Sequence, residues 1–377
     1  MISFWERESL FQYDFIIVGS GIVGLNTAIN LKIKYPRKSV LVLERAPLPT
    51  GASTRNAGFA CMGSLSELSE DLKSLSESEL VTLFMQRKQG IDLLRKRLGD
   101  DRIGYRANGS HELLTASEAP LLTQLDYFNQ LLKEVSDTPV FKIKNEAIRD
   151  FGVAAHHFKY CVETTCEGEL HTGKMMRSLI DFAIEKGVEI KTGVMVQHFE
   201  EHSHSVKVYT SDPYRKDALV FSAAQLCICT NAFTPHFFPE LDIQPGRGQV
   251  IITKPVPGLK LKGIYHFDQG YYYFREIEGR VLFGGGRNLD FEKETTTRIE
   301  TNEAIVAHLT SLLQTVILPE QAFEIEMQWA GIMAFGASKK PILQSFSPRV
   351  HGAFRLGGMG VALGSLLAQQ LADLTEI

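Results

Sequence analysis

Residues 13–24 read Tyr-Asp-Phe-Ile-Ile-Val-Gly-Ser-Gly-Ile-Val-Gly, an apolar strand that runs directly into Gly19-x-Gly21-x-x-Gly24. Few folds accommodate this arrangement. Gly19 permits a tight turn, Gly21 lets backbone approach a pyrophosphate, and Gly24 lets the following helix pack closely on the strand. That helix, from Ile22 to about Lys34, points its positive N-terminal end at the phosphates, with Ser20 and Val23 in the same turn. A second apolar run, Val40-Leu41-Val42-Leu43, ends at Glu44, which lies 44 − 24 = 20 residues past the last glycine. A carboxylate there can accept both hydroxyls of a ribose, and Arg45 follows it. Strand, turn, helix and acid together predict a dinucleotide site in a parallel α/β sheet.

A chain of 377 residues is long enough for two domains. Its net charge of −4 and the lack of a long basic run argue against a nucleic-acid partner. Arg87-Lys88 and Arg95-Lys96-Arg97 read as the solvated face of a helix. Residues 1–12 carry Glu6, Arg7 and Glu8, unlike a secretory signal, and no run reaches the ~20 apolar residues of a membrane span. Cys61, Cys161, Cys166, Cys227 and Cys229 lack zinc-site spacing, and a chain of this size needs no disulfides. Reduced thiols, a cytoplasmic location and no metal are expected. His198, His202 and His204, set among glutamates and serines, read as surface histidines.

Thr50 to Gly58 form a small, polar loop that would run over a bound cofactor, with Ser53, Thr54, Arg55, Asn56, Ala57 and Gly58 as its candidate contacts. Helical periodicity covers 78–98 and 117–135, and 109–115 reads as a strand. Thr172 can cap a helix over 173–186, followed by a strand over 188–196. Residues 206–210 and 218–222 alternate as a hairpin, and 225–231 forms a buried strand ending in Thr230 and Asn231. Residues 246–286 are strand-rich, 301–313 is helical and 323–330 is a strand. A strand over 354–356, the loop Gly357-Gly358-Met359-Gly360 and a helix over 361–374 return to the first fold. The expected class is α/β: a Rossmann-like FAD-binding domain, residues 1–75, 160–235 and 330–377, with an inserted antiparallel-sheet substrate domain, residues 76–159 and 236–329.

The fingerprint with Glu44, the 51–58 loop, Thr230-Asn231 closing a strand and the 357–360 loop resemble, in this order, the FAD-dependent D-amino-acid oxidase superfamily. That superfamily includes glycine oxidase, sarcosine oxidase and amine-oxidising relatives. Trp329-Ala330-Gly331 leading to Lys340-Pro341-Ile342 resembles it too. The residues agree independently: a nicotinamide enzyme needs one phosphate-binding turn, whereas FAD is longer and gives a second glycine loop a purpose. The resemblance implies that Gly358, Met359, Gly360, Val361 and Ala362 stand beside the flavin ring, where the helix dipole favours negative charge on reduced flavin. It also implies that Arg55 partners a phosphate or the ring, and that backbone at Val196 meets the adenine.

Departures from the family pattern bear on the substrate. The arginine of glycine oxidase falls at Met333, and the lysine of sarcosine oxidase relatives falls at Ala362. The flavin-linked cysteine of sarcosine oxidase relatives falls at Ile332 or Met333, so FAD is expected to bind noncovalently. The oxygen-activating lysine falls at Leu282, which leaves room for an electron acceptor other than oxygen. Tyr271, Tyr273 and Arg275 share one strand face by period two. Tyr273 resembles the family's active-site tyrosine. Arg275 is either an anion grip or half of a salt bridge with Glu276 or Glu278. Tyr273, Arg275 and Met333 are the candidate substrate-site residues, with His266 and Trp329 as further wall positions. The expected activity is hydride removal from a C–N bond of an amine or amino-acid derivative. Oxidation of a 2-hydroxy acid, or flavin binding without turnover, are the alternatives.

Overall fold

The computed structural model describes residues 2–136, 138–211 and 218–376. Its first sheet runs Ile342–Ser345, Val350–Phe354, Leu219–Ile228, Gln12–Val18, Val40–Leu43 and Glu189–Lys191, parallel except at the Ile342–Ser345 edge. Phe15, Ile16 and Ile17 are wholly buried because both faces of this strand are covered, which is why its sequence is a continuous apolar run. On one face lie the helices Ile22–Lys34, Glu77–Leu98, Thr172–Glu185 and Gly360–Leu374. The other face carries the hairpin Val196–Glu201 and Val206–Thr210 and a cluster around Phe238 and Phe354.

Three local differences from the sequence reading have physical causes. The strand expected over 188–196 is cut in two, Glu189–Lys191 and Val196–Glu201, with Gly193 at φ 72° between them. The hairpin arm and the buried strand expected near 218–231 are one strand, Leu219–Ile228, antiparallel to Val206–Thr210 and parallel to Gln12–Val18. Residues 117–135 form a 3-10 helix, Ala116–Gln124, then a short α-helix, Leu125–Leu131; Pro120 lacks the amide that an α-helix would use.

The second sheet runs Ile325–Phe335, Gln244–Thr253, Arg280–Gly285, Tyr272–Ile277, Ile264–Phe267, Ser110–Leu114, Tyr160–Thr164 and Phe141–Ile143. It is antiparallel apart from the Ile264–Phe267 and Ser110–Leu114 pair. Tyr272 and Phe274 point into its own core with the Glu303–Leu312 helix, as strand alternation requires. The opposite face meets the 50–58 loop, with Gly331 against Arg55 and Arg275 donating to the Gly58 carbonyl. Tyr160–Thr164, placed by sequence at the start of a first-domain segment, hydrogen-bonds into this second sheet, and Ile325–Phe335 runs across the expected break at 330.

The Glu77–Leu98 helix, placed by sequence with the second domain, packs instead on Gly360–Leu374. Contact is close at Gly90, where a Cβ would lie 1.9 Å from the Ala362 carbonyl oxygen. No helix among the described residues is long and apolar enough to cross a membrane. Gly90→Ala must separate the two helices, an overpacking cost of about 1–3 kcal/mol. Thermal unfolding should show that loss, and flavin retention should fall with it because the start of the last helix moves. An unchanged melting temperature would mean that the crossing is loose.

Candidate functional site

Gly19 turns the chain at φ 102°, and a Cβ on Gly24 would lie 1.9 Å from the Gly19 carbonyl oxygen, so helix and strand meet as the fingerprint requires. The carboxylate of Glu44 accepts from the Ser20 amide at 3.1 Å, the Ser20 hydroxyl at 2.7 Å and the Ala46 amide at 3.1 Å. Ser20 is therefore a buried holder of the acid and has no surface for a ligand. Ile22, Val23 and Val196 are likewise core side chains, leaving only their backbone to a nucleotide. Arg45, next to Glu44 in the chain, sets its guanidinium carbon 3.7 Å from the Phe233 ring centroid in a cation–π contact.

The 50–58 loop is held by its own side chains. Ser53 Oγ accepts from the Ile22 amide at 3.0 Å, inside the phosphate turn. Thr54 Oγ1 donates to the carbonyls of Pro49 and Gly51, and Asn56 bridges Ser53, Gly58 and Thr172. Arg55, expected as a phosphate or ring partner, is turned elsewhere. Its guanidinium donates to Thr50 and Ala330 carbonyls at 3.0 and 2.8 Å, while Trp329 Nε1 donates to the Arg55 carbonyl at 2.9 Å. Arg55 and Trp329 thus tie the loop to the second sheet.

Arg275 requires a larger correction. It shares a strand face with Tyr273, but its Nη1 donates to the carbonyls of Leu170, Gly58 and Ala57 at 2.7, 3.2 and 3.4 Å. Its Nη2 lies 3.3 Å from Glu169 Oε2, in a pair 6% and 4% exposed. Nε donates to the Glu276 carbonyl. This guanidinium is a clamp between the loop and the second sheet, and its ion-pair partner is Glu169 rather than Glu276 or Glu278.

At the far end, Thr230 shares a hydroxyl contact with Thr234, and Asn231 Oδ1 accepts from the Arg355 amide at 3.1 Å, anchoring the second glycine loop. Arg355, Gly357 and Gly358 all have positive φ, and the Gly360–Leu374 helix begins with no side-chain cap. Its first-turn amides are thus available to an anionic partner. Ala362 is 1% exposed and belongs to the crossing with the Glu77–Leu98 helix, so it lines no ligand space. Val361 is also a core side chain. Cys61 packs its thiol 3.8 Å from the Met359 sulfur, and burial raises its pKa well above the usual thiol value.

Tyr273 and Met333 converge on this loop. A Cβ on Gly248 would lie 2.8 Å from Met333 Cε and 3.9 Å from the Tyr273 hydroxyl, and one on Gly358 would lie 3.8 Å from Met333 Sδ. The ring of Tyr273 covers Gly284 and meets Phe59 edge-on at 5.6 Å. Burial pushes the Tyr273 phenol up to about 12, so it stays protonated, and no partner for it occurs among the described residues. Ala57, Val250, Leu282 and Trp329 make an apolar wall around it, with Leu282 where the resemblance places a lysine.

Glu112, His266, Tyr273 and Gly284 are successive cross-strand partners, so all four share the face that looks towards the cofactor loop. His266 is 7% exposed and its Nδ1 has no partner. Glu112 accepts from Ser64 and Ser66, and Glu167 accepts from Ser110 and the Met62 and Gly63 amides. Sequence reading missed these two carboxyls because neither sits in a motif; pairing across strands brings them in. Burial raises the pKa of both.

A glycine turn with an oriented ribose acid, joined by a second, uncapped helix start packed alongside and by a tyrosine-bearing sheet face, defines a flavin-dinucleotide enzyme. The set fits FAD, whose adenosine and flavin ends call for two separate helix N-termini. Residues 14–374 match the FAD-dependent oxidoreductase (DAO) family, and the chain belongs to it. The probable oxidoreductase OrdL of Haemophilus influenzae is 22% identical over 379 residues, covering 96% of this chain and 82% of that protein. Among solved structures, glycine oxidase from Geobacillus kaustophilus superposes with a TM-score of 0.77 at 19% identity, covering 97% of this chain and 96% of that one. L-proline dehydrogenase from P. horikoshii gives 0.77 at 16% identity, covering 97% and 93%.

Two outcomes follow. Arg275→Met leaves Glu169 buried and unpaired, a loss of about 3–5 kcal/mol. Adding Glu169→Gln should recover part of it in chemical denaturation, whereas a substrate-gripping arginine would show no such coupling. Glu112 and Glu167 have folded pKa values above the usual 4.5, so their stabilising contribution is complete below 4.5 and is lost as pH rises through the folded value. Glu167→Gln should therefore gain melting temperature relative to the parent as pH is raised. A constant difference across pH would contradict the assignment.

Proposed function

We propose that this oxidoreductase removes a hydride from a C–N bond of an amine or amino-acid derivative, with FAD held noncovalently. The convergence of Tyr273, Met333 and the 357–360 loop on one glycine-floored patch carries the reading. Proteins of the same fold support it: they include a glycine oxidase, an L-proline dehydrogenase, an L-amino acid deaminase and an iminodiacetate oxidase. FAD, when bound, supplies the hydride acceptor.

The chain's own residues have distinct tasks. Glu44 holds the ribose end, and the start of the Ile22–Lys34 helix, whose Ile22 amide is taken by Ser53 Oγ, holds the phosphates with its remaining first-turn amides. First-turn amides of the Gly360–Leu374 helix stabilise negative charge at the flavin end. The neutral Tyr273 hydroxyl orients the substrate nitrogen or its neighbouring oxygen, while Met333, Val250, Leu282 and Trp329 exclude water. The five free thiols fit a reducing compartment, the cytoplasm.

Anaerobic mixing with a panel of amines, amino acids and 2-hydroxy acids tests this. Bleaching of the flavin band by amines is the expected result; bleaching by hydroxy acids alone would replace it with C–O oxidation. Silence across the whole panel would point to a flavoprotein without turnover. Tyr273→Phe should lower kcat/KM by roughly tenfold at most, the worth of one hydrogen bond, with the FAD spectrum retained.

A further inference from the structure

The strand Arg280–Gly285 ends in Gly284-Gly285-Gly286, and the next residue is Arg287. Gly285 and Gly286 take φ of 137° and 77°, a conformation that turns the chain off the sheet into the 3-10 turn Arg287–Leu289. The turn brings the Arg287 side chain to Gly246, where a Cβ would meet the Phe335 ring first and Arg287 Nε next, at 2.9 Å. Gly246 pairs with Met333 across strands, and Gly248, two residues on, faces Met333 Cε and the Tyr273 hydroxyl. The guanidinium therefore stands about two strand residues, ~7 Å, from the point where Tyr273 and Met333 meet.

Its surroundings position the cation without neutralising it. Phe335 and Phe291 lie on it with centroids 4.2 and 5.0 Å from the guanidinium carbon. Among the described residues Arg287 forms no ion pair or side-chain hydrogen bond, and its buried Nε is without a partner. The neighbouring arginines are all engaged: Arg55 by carbonyls, Arg247 by Glu294, Arg275 by Glu169 and Arg355 by Asp242. Burial lowers the Arg287 pKa from its usual value, with Tyr271 and Glu294 opposing that shift, and Glu294 is already held by Arg247, Gln249 and Asn302. A planar cation fixed by two rings and left unpaired beside a reactive patch matches the fork geometry of a carboxylate.

We propose that Arg287 binds the carboxylate of the substrate, supplying from a different strand end the charge missing at Met333 and Ala362. The assignment rests on the site reading above and narrows it to amines that carry a carboxylate. Bound there, the acid group anchors the molecule while its C–N bond lies at Tyr273 and the 357–360 loop. Tyr271, Leu289 and Phe291, all exposed, rim the entrance and suit an apolar substituent beside the acid.

The test uses the FAD-loaded protein and ligands that cannot react: acetate, propionate and benzoate, each against its amide, followed by calorimetry and by the shift of the flavin band. The parent should bind at least one acid over its amide by tenfold or more. Arg287→Met should erase that preference while leaving the amide affinity and the melting temperature unchanged, and Arg287→Lys should restore part of it. Loss of acid and amide binding alike, retention of the preference in Arg287→Met, or no binding of any acid by the parent would overturn the assignment. Because the readout needs no turnover, a protein that no amine reduces but that still shows the Arg287-dependent preference would sink the C–N reading and leave the carboxylate site standing.

Discussion

The buried guanidinium of Arg275 joins the parts on which the site depends. It sits on the second sheet, yet its partners belong to the cofactor loop at Ala57 and Gly58 and to the segment Glu169–Leu170. Carbonyl oxygens in that position have lost water and need a donor, and one planar cation satisfies three of them at once. The fork lets Nη1 serve these carbonyls while Nη2 faces Glu169, a division that the single nitrogen of a lysine could not make. Arg55 and Trp329 make the reciprocal tie from loop to sheet. With both ties in place the face carrying Tyr273 is held opposite the phosphate turn.

Absent side chains matter as much as present ones. Gly246, Gly248 and Gly284 lie where the sheet would otherwise crowd the patch, and their missing Cβ atoms leave room for Phe335 with Arg287 Nε, for Met333 and for the Tyr273 ring. A larger residue at any of the three would displace a functional group rather than a piece of core. Met333 fills the space against Gly358, and Ala362 belongs to a helix crossing. The same sheet face keeps Glu112 and His266 in line with Tyr273, a polar row bordering an apolar wall.

Much of the cofactor end was legible from local pattern. The Gln12–Val18 strand, the Ile22–Lys34 helix and Glu44 stand where spacing puts them, because each requirement is confined to neighbours in the chain. Strand alternation likewise foretold that Tyr272 and Phe274 turn into the core, away from Tyr273. Less was legible where a decision needed distant partners. Leu219–Ile228 reads in sequence as two strands because its pairing changes along its length, and an expected boundary at 160 separates Tyr160–Thr164 from the second sheet in which it pairs. For Arg275 a salt bridge is one of the two sequence readings, but its partner Glu169, like the carbonyl partners of Arg55 and Arg275, could not be read, since Ala330 and Leu170 lie 275 and 105 residues away.

The sequence by itself determined a flavin-type dinucleotide fold with two glycine loops at opposite ends of the chain. Glycine turns and apolar periodicities act over a few residues, so they are written where they act. Tertiary structure decided which charges are available. It took Arg275 for a clamp, buried Ala362, and brought Arg287 beside Met333 through a three-glycine turn. The physical reason is that a cation's function depends on which oxygens surround it, and those oxygens arrive from other strands.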